Sequence, residues 1–258
     1  MITSKEPVDW RDLQVMVADI LTQCGFTVQI EPVLRTARGE IEVDVYATEE
    51  VKGRKYTIAC ECKRWHASIP QSVIHSFRSI VHDLGCNIGY IITTSNFQSG
   101  SIQNVDFTNI ELLTWPQFQE KFIETWFERY FVPTITEKLD PLMSYTEPLL
   151  PRWYEGMTDE DKQGFYQLKD KYDAIAIIVM TSFSKYSRIL SGNDKERIRL
   201  PLIERIDPAS IPRINIPEEI LNEVGYWEFL QKTIAFGEGG IAAFRRLRNK
   251  YVNYSDDE

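Results

Sequence analysis

Two stretches decide how this chain folds: Glu40-Ile41-Glu42-Val43-Asp44-Val45 and Tyr56-Thr57-Ile58-Ala59-Cys60-Glu61-Cys62-Lys63. In the first, Ile41, Val43 and Val45 alternate with Glu40, Glu42 and Asp44. In the second, Tyr56, Ile58, Cys60 and Cys62 alternate with Thr57, Ala59, Glu61 and Lys63. A period of two is the signature of a half-buried strand. Lys52-Gly53 between them suits a two-residue hairpin turn, with glycine supplying the positive φ that such turns demand. Centred there, the hairpin pairs Val51 with Arg54, Val45 with Cys60, Val43 with Cys62 and Asp44 with Glu61. A slip of one residue would set the charged row of one strand beside the apolar row of the other, so turn and patterning agree on the register. Asp44, Glu61 and Lys63 then leave the same side of the sheet.

Outward from the hairpin, Trp10, Leu13, Val17, Ile20 and Leu21 recur at helical spacing, with Asp9 placed to cap and Gly25 to stop the helix. Phe26 to Glu31 reads as a short strand, followed by a polar turn through Arg35 to Gly39. Past Pro70, the positions Val73, Ile74, Phe77, Ile80, Val81 and Leu84 return to helical spacing, ended by Gly85. Asn87 to Thr93 is an apolar run suited to a strand covered on both faces, and Asn109 to Thr114 suits another. Pro116 opens a helix through Trp126 and Phe127. This order predicts a mixed sheet flanked by helices, an α/β domain closing near residue 130. Pro133, Pro141, Pro148 and Pro151 argue against one long helix and place a linker over residues 131–152. A mainly helical module follows over 153–258. Within it Ala174 to Met180 also suits a buried strand, Gly237, Gly239 and Gly240 interrupt a segment ending near Tyr251, and the tail from Ser255 frays.

Composition narrows the class. The chain has 258 residues, 43% hydrophobic and 12% aromatic, with 29 basic and 38 acidic side chains and a formal net charge of −9. That excludes a disordered polyanion and a protein that coats nucleic acid by bulk attraction; contact with nucleic acid must come from local patches or a bound cation. No apolar run approaches the roughly 20 residues of a membrane span, and Met1 to Asp9 lacks the features of a secretory signal. A cytoplasmic protein with four reduced cysteines, Cys24, Cys60, Cys62 and Cys86, is the expectation.

Two carboxylates directly across a sheet repel one another. A divalent cation reverses the sign: two hard oxygen ligands, a backbone carbonyl and waters make a partial octahedron for Mg²⁺ or Mn²⁺. Lys63, two residues beyond Glu61, leaves the same face about 6 to 7 Å further along. Such a set supports metal-assisted phosphodiester hydrolysis, the lysine stabilising negative charge or positioning the attacking water. The solvated outer face of an ordinary hairpin produces the same alternation.

Three segments, Glu40 to Val45, Ala59-Cys60-Glu61-Cys62-Lys63-Arg64-Trp65 and Ile91-Ile92-Thr93-Thr94-Ser95-Asn96-Phe97, resemble the Mrr-like branch of the PD-(D/E)xK restriction-endonuclease superfamily. The resemblance spans about the first half of the chain, and the element order matches the α-β-β-β-α-β core of that fold. It implies a restriction-endonuclease-like fold over residues 1–130, an Mg²⁺-dependent endodeoxyribonuclease in which Mn²⁺ substitutes, and prokaryotic defence against foreign DNA. It also implies Asp44 as first metal ligand, Glu61 as second, the Cys62 main-chain carbonyl completing the inner sphere, and Lys63 as catalytic lysine. Gln71 resembles a polar residue that many members direct toward the site. The chain departs from the pattern at Gln14, where members often carry a glutamate, and at Glu42, where many have glycine; Glu40 falls where an additional acid is common.

Other groups fit blander roles. Cys60 and Cys62 with His66 lack a second pair for zinc and read as core thiols. His75 and His82, seven residues apart on the second helix, read as solvated or packing residues. Trp65 suits either base stacking or packing on the next loop. Ser95 lacks the context of a hydrolase nucleophile, and there is no phosphate-cradling P-loop. In the second half, Lys185, Arg188, Lys195, Arg197, Arg199 and Arg205, and separately Arg245, Arg246, Arg248 and Lys250, suit either phosphates or a wet surface. The module over 153–258 is expected to serve target recognition, homo-oligomerisation or docking of a co-encoded partner protein. Two competing readings stand beside a constitutive enzyme: an inactive nuclease-fold subunit that binds DNA, and an effector nuclease switched on by a partner or small ligand.

Overall fold

The computed structural model describes residues 1–36, 38–98, 100–101, 105–183, 197–207 and 214–252. The chain divides into two compact units, residues 1–130 and 131–258. The first opens with α1 (Trp10–Gln23), whose first turn is capped by Asp9 accepting from the Asp12 N–H, as patterning predicts. Strands β1 (Thr27–Ile30), β4 (Val45–Val51), β5 (Arg54–Lys63), β6 (Ile88–Thr93) and β7 (Ile110–Thr114) form one sheet in the order β1-β4-β5-β6-β7. The β1-β4-β5 half is antiparallel and the β5-β6-β7 half parallel. Helix α2 (Gln71–Leu84) crosses from β5 to β6, and α3 (Trp115–Trp126) follows β7 with a capping box at Thr114 and Gln117. This is the mixed sheet flanked by helices that the pattern predicts.

The hairpin register is the expected one, Val51 opposite Arg54 and Val45 opposite Cys60. It stops two residues earlier than expected, because β4 begins at Val45. The residues Glu40 to Glu42, expected to open that hairpin strand, belong instead to a separate two-stranded ribbon of β2 (Val33–Thr36) and β3 (Gly39–Glu42), which also takes up Arg35, Thr36 and Gly39 of the expected polar turn. Val43 joins a cluster with Ala59, Ile74, Phe77, Val81, Ile91 and Ile110 under α2. Ala59 faces α2, so Cys60 and its partner Val45 face the opposite side, where α1 packs. The chain therefore changes face between Val43 and Val45, and Asp44 sits at that swerve. Thr57 to Cys60 are buried on both faces, so the half-exposed strand expected there is a central one.

In the second unit the proline-rich stretch assigned to a linker instead forms α4 (Val132–Thr146), with Pro141 inside it and Ile135, Leu139 and Leu142 buried. Packing of that apolar stripe outweighs the loss of one backbone hydrogen bond. Helix α5 (Asp159–Ser182) runs through Ala174 to Met180, excluding the buried-strand alternative. A short α6 (Glu218–Leu221) precedes α7 (Tyr226–Arg248), which continues through its glycines rather than breaking. A Cβ on Gly237 would stand 2.5 Å from Leu139 Cδ2, and one on Gly240 2.9 Å from Tyr172 Cδ1, so these glycines mark close helix approach. Among the described residues no helix is long and apolar enough to cross a membrane. Lys185, Arg188, Lys195 and the tail from Ser255 lie outside the described residues.

Candidate active site

The swerve at Asp44 creates the site. Its main-chain carbonyl accepts from the Glu31 N–H at 3.0 Å, and its Oδ2 accepts from the Cys62 N–H at 2.7 Å. A carboxylate thus takes the ladder position that a β4 carbonyl would have held. Across from it, Lys63 Nζ ion-pairs with Glu61 Oε1 and lies 3.8 Å from Asp44 Oδ2. The three side chains are 23% (Asp44), 21% (Glu61) and 20% (Lys63) exposed, half-sheltered at the carboxyl end of β5. The strand end is held firmly: the Lys63 carbonyl accepts from Thr93 Oγ1 at 2.8 Å and from the Thr94 N–H at 3.4 Å.

Burial pushes the Glu61 carboxyl above its ordinary value; the Lys63 ammonium pulls it back, while Asp44 pushes it up. The site therefore resists holding two bare negative charges, and a cation relieves it. Burial also raises the Cys60 and Cys62 thiols, which are free, buried and held protonated. They are core groups and offer no thiolate to zinc.

A cleft of about 220 Å³ opens beside the cluster, lined by Glu61, Lys63, Ser72, Val73, Ser76, Phe77 and Ile80. Of the residues singled out from the sequence, Asp44, Glu61 and Lys63 come together. Cys62 lies between them, and its carbonyl points to the same strand edge as its N–H, toward Asp44. Gln71 is not brought to the cleft; it is exposed, with Nε2 against Gly100. Gln14 lies on α1, buried, its Nε2 without a hydrogen-bond partner among the described residues, and does not line the cleft. Ser72 and Ser76 do line it and escaped sequence reasoning. Their only signal is a four-residue spacing beside the apolar stripe of α2.

Among the described residues no group of three or more His, Cys, Asp or Glu side chains gathers as a metal site. The side-chain donors available here are two carboxylates whose oxygens converge on one cationic group, the Lys63 ammonium. That donor set fits Mg²⁺, which keeps several waters and is commonly held by one or two carboxylates together with substrate phosphate.

Residues 6–122 match the Mrr_cat family model, described as a restriction endonuclease. No curated protein matches the chain. A solved structure described as the crystal structure of protein of unknown function AF1548 is 17% identical over 72% of this chain and 100% of that one, with a TM-score of 0.37. The family match runs from before α1 into α3, with both carboxylates, the lysine and every residue lining the cleft inside it. Residues 6–122 thus form a restriction-endonuclease domain of the Mrr_cat family, consistent with an Mrr-like nuclease of the PD-(D/E)xK type.

Proposed function

We propose that this domain is a Mg²⁺-dependent endonuclease that hydrolyses phosphodiester bonds in DNA, with Mn²⁺ able to substitute. The observation that carries the reading is the convergence of the Asp44 and Glu61 carboxylates on Lys63 Nζ at the end of β5, in a domain of restriction-endonuclease family. Asp44, Glu61 and the Cys62 carbonyl would hold the ion. When bound, the ion polarises the scissile phosphate and lowers the pKa of the attacking water. Lys63, released from Glu61, donates a hydrogen bond to that water or to a phosphate oxygen and offsets charge developing at phosphorus. The Cys62 N–H bond keeps the Asp44 carboxylate aimed while this happens. Ser72 and Ser76 offer hydroxyl donors to the phosphate from the cleft wall.

We assign the helical unit 131–258 to target recognition, oligomerisation or partner docking, and the whole protein to defence against foreign DNA in a prokaryotic cytoplasm. Plasmid cleavage tests the central reading. The wild-type chain should nick or linearise DNA with Mg²⁺ and not with EDTA, and Asp44→Ala, Glu61→Ala and Lys63→Ala should each abolish it. Equal cleavage by all three variants would remove the site, and cleavage of RNA but not DNA would replace the substrate.

A further inference from the structure

Of the four tryptophans in the N-terminal unit, two behave as core residues. Trp115 and Trp126 are fully buried, and their indole N–H groups donate to the Lys5 carbonyl and to Gln23 Oε1. The other two are 42% (Trp65) and 46% (Trp10) exposed. Trp65 has no hydrogen bond or ring contact among the described residues, yet the backbone on both sides of it is pinned. Lys63 is bonded to Thr93 and Thr94, Arg64 Nε donates to the Pro7 carbonyl at 2.9 Å, and the Ala67 carbonyl accepts from Ser95 Oγ at 3.0 Å. A large apolar ring is thus presented to water on a fixed scaffold, where a structural tryptophan would turn inward.

Its position gives that exposure a use. Trp65 is two residues beyond Lys63, so the two backbones are at most about 7 Å apart along the chain. The Arg64–Pro7 bond brings the segment leading into α1 to the same place, and three residues on Trp10 carries the Arg11 guanidinium 5.1 Å from its ring centroid. Trp65 is an exposed indole that follows Arg64 in the chain and lies two residues from Lys63, and Trp10, three residues from the Pro7 that Arg64 holds, carries Arg11 over its own ring; an aromatic face for a base and cations along the neighbouring backbone are the two elements of a single-strand platform.

The geometry points to Trp65 as a stacking platform for an unpaired base of the substrate, next to the phosphate held at Asp44, Glu61 and Lys63. The preferred substrate is then DNA with single-stranded character at the cut: a free strand, a fork or a gap. Inside a duplex, both faces of each base are covered by neighbours, and an indole gains nothing without flipping the base out. This inference rests on the nuclease reading above and adds the substrate class to it.

The test uses the full-length chain with Ca²⁺ in place of Mg²⁺ and one labelled oligonucleotide sequence offered single-stranded, forked or as a blunt duplex. Trp65→Ala should weaken single-strand and fork binding about 5- to 100-fold and leave duplex binding nearly unchanged, with Trp65→Phe close to wild type. Folding of the variant is bypassed by a second arm. An abasic nucleotide beside the cut should weaken the wild-type protein by the same factor and Trp65→Ala no further. Equal losses on single strand and duplex, no loss on either, or an abasic penalty that persists in Trp65→Ala would overturn the stacking role and leave the nuclease reading intact. Failure of the wild-type chain to bind any of the three DNAs would sink both.

Discussion

Replacing Lys63 by methionine keeps an unbranched apolar stem, one atom shorter, and removes the charge, which leaves Glu61 without its ion-pair partner and Asp44 without a cation 3.8 Å away. A fully buried pair broken at one end costs about 3–5 kcal/mol, and an exposed one about 0.2–1 kcal/mol. With each side chain about one-fifth exposed and Asp44 still bonded to the Cys62 N–H, the expectation is about 1–3 kcal/mol in EDTA. At a urea slope of about 2 kcal/mol per molar, the midpoint of the N-terminal unit should fall by roughly 0.5–1.5 M. The second half of the prediction concerns Mg²⁺. The ammonium occupies the space between the carboxylates, so its removal both destabilises the metal-free protein and frees the ligands. Added Mg²⁺ should therefore raise the midpoint of Lys63→Met more than that of wild type and close most of the gap, by linkage to binding of the folded state alone. Urea titrations followed by tryptophan fluorescence, with and without Mg²⁺, measure both effects. A variant as stable as wild type in EDTA, with no larger response to Mg²⁺, would refute the picture of two carboxylates sharing one cation.

Asp44→Ala leaves the Cys62 N–H unpaired and should cost about 1–3 kcal/mol, whereas Asp44→Asn keeps an acceptor oxygen and should cost clearly less. Both should lose cleavage, so thermal melts and plasmid assays together separate the aiming role from the chemical one. For Glu61, burial raises the carboxyl pKa in the folded protein, so the native state takes up its proton at a higher pH than the unfolded chain. That contribution to stability is present below the unfolded pKa and lost as pH rises through the folded one. Relative to wild type, Glu61→Gln should gain stability in EDTA as pH is raised through the folded pKa and be nearly level on the acid side. A difference that does not vary with pH would contradict this. Gly89→Ala tests the packing of β6: its Cβ would stand 2.5 Å from Val81 Cγ2, 2.8 Å from Phe77 Cε1 and 2.8 Å from Ile110 Cδ1. Overpacking there should cost about 1–3 kcal/mol in a urea melt.

What was legible in the chain itself was local. The Lys52-Gly53 turn and the two alternating rows pin Val45 opposite Cys60, because hairpin register depends on neighbours close in sequence. The helical stripes of α1 and α2 and the apolar run of β6 were equally readable and gave the order of the sheet domain, while the hairpin register put Asp44, Glu61 and Lys63 on one side of the sheet. Tertiary structure decided the rest. The swerve at Asp44 arises because Val43 is drawn into the cluster under α2 while Val45 stays in register beneath α1. Alternation cannot show that, since both valines look alike in a period of two. Which polar residues of α2 face the cleft depends on how the helix is rotated on the sheet, so Ser72 and Ser76 line it while Gln71 turns to Gly100. Pro141 and the glycines of α7 read as breaks, yet helix packing holds both segments helical, because buried side chains at Leu139, Leu142 and Tyr172 outweigh backbone propensity. Sequence puts the two carboxylates and the lysine on one side of a hairpin; only the packed sheet decides that Asp44 sits at a strand break and turns its carboxylate onto the Cys62 N–H beside Lys63, because that break is set by the burial of Val43 under α2, a contact between residues far apart in the chain.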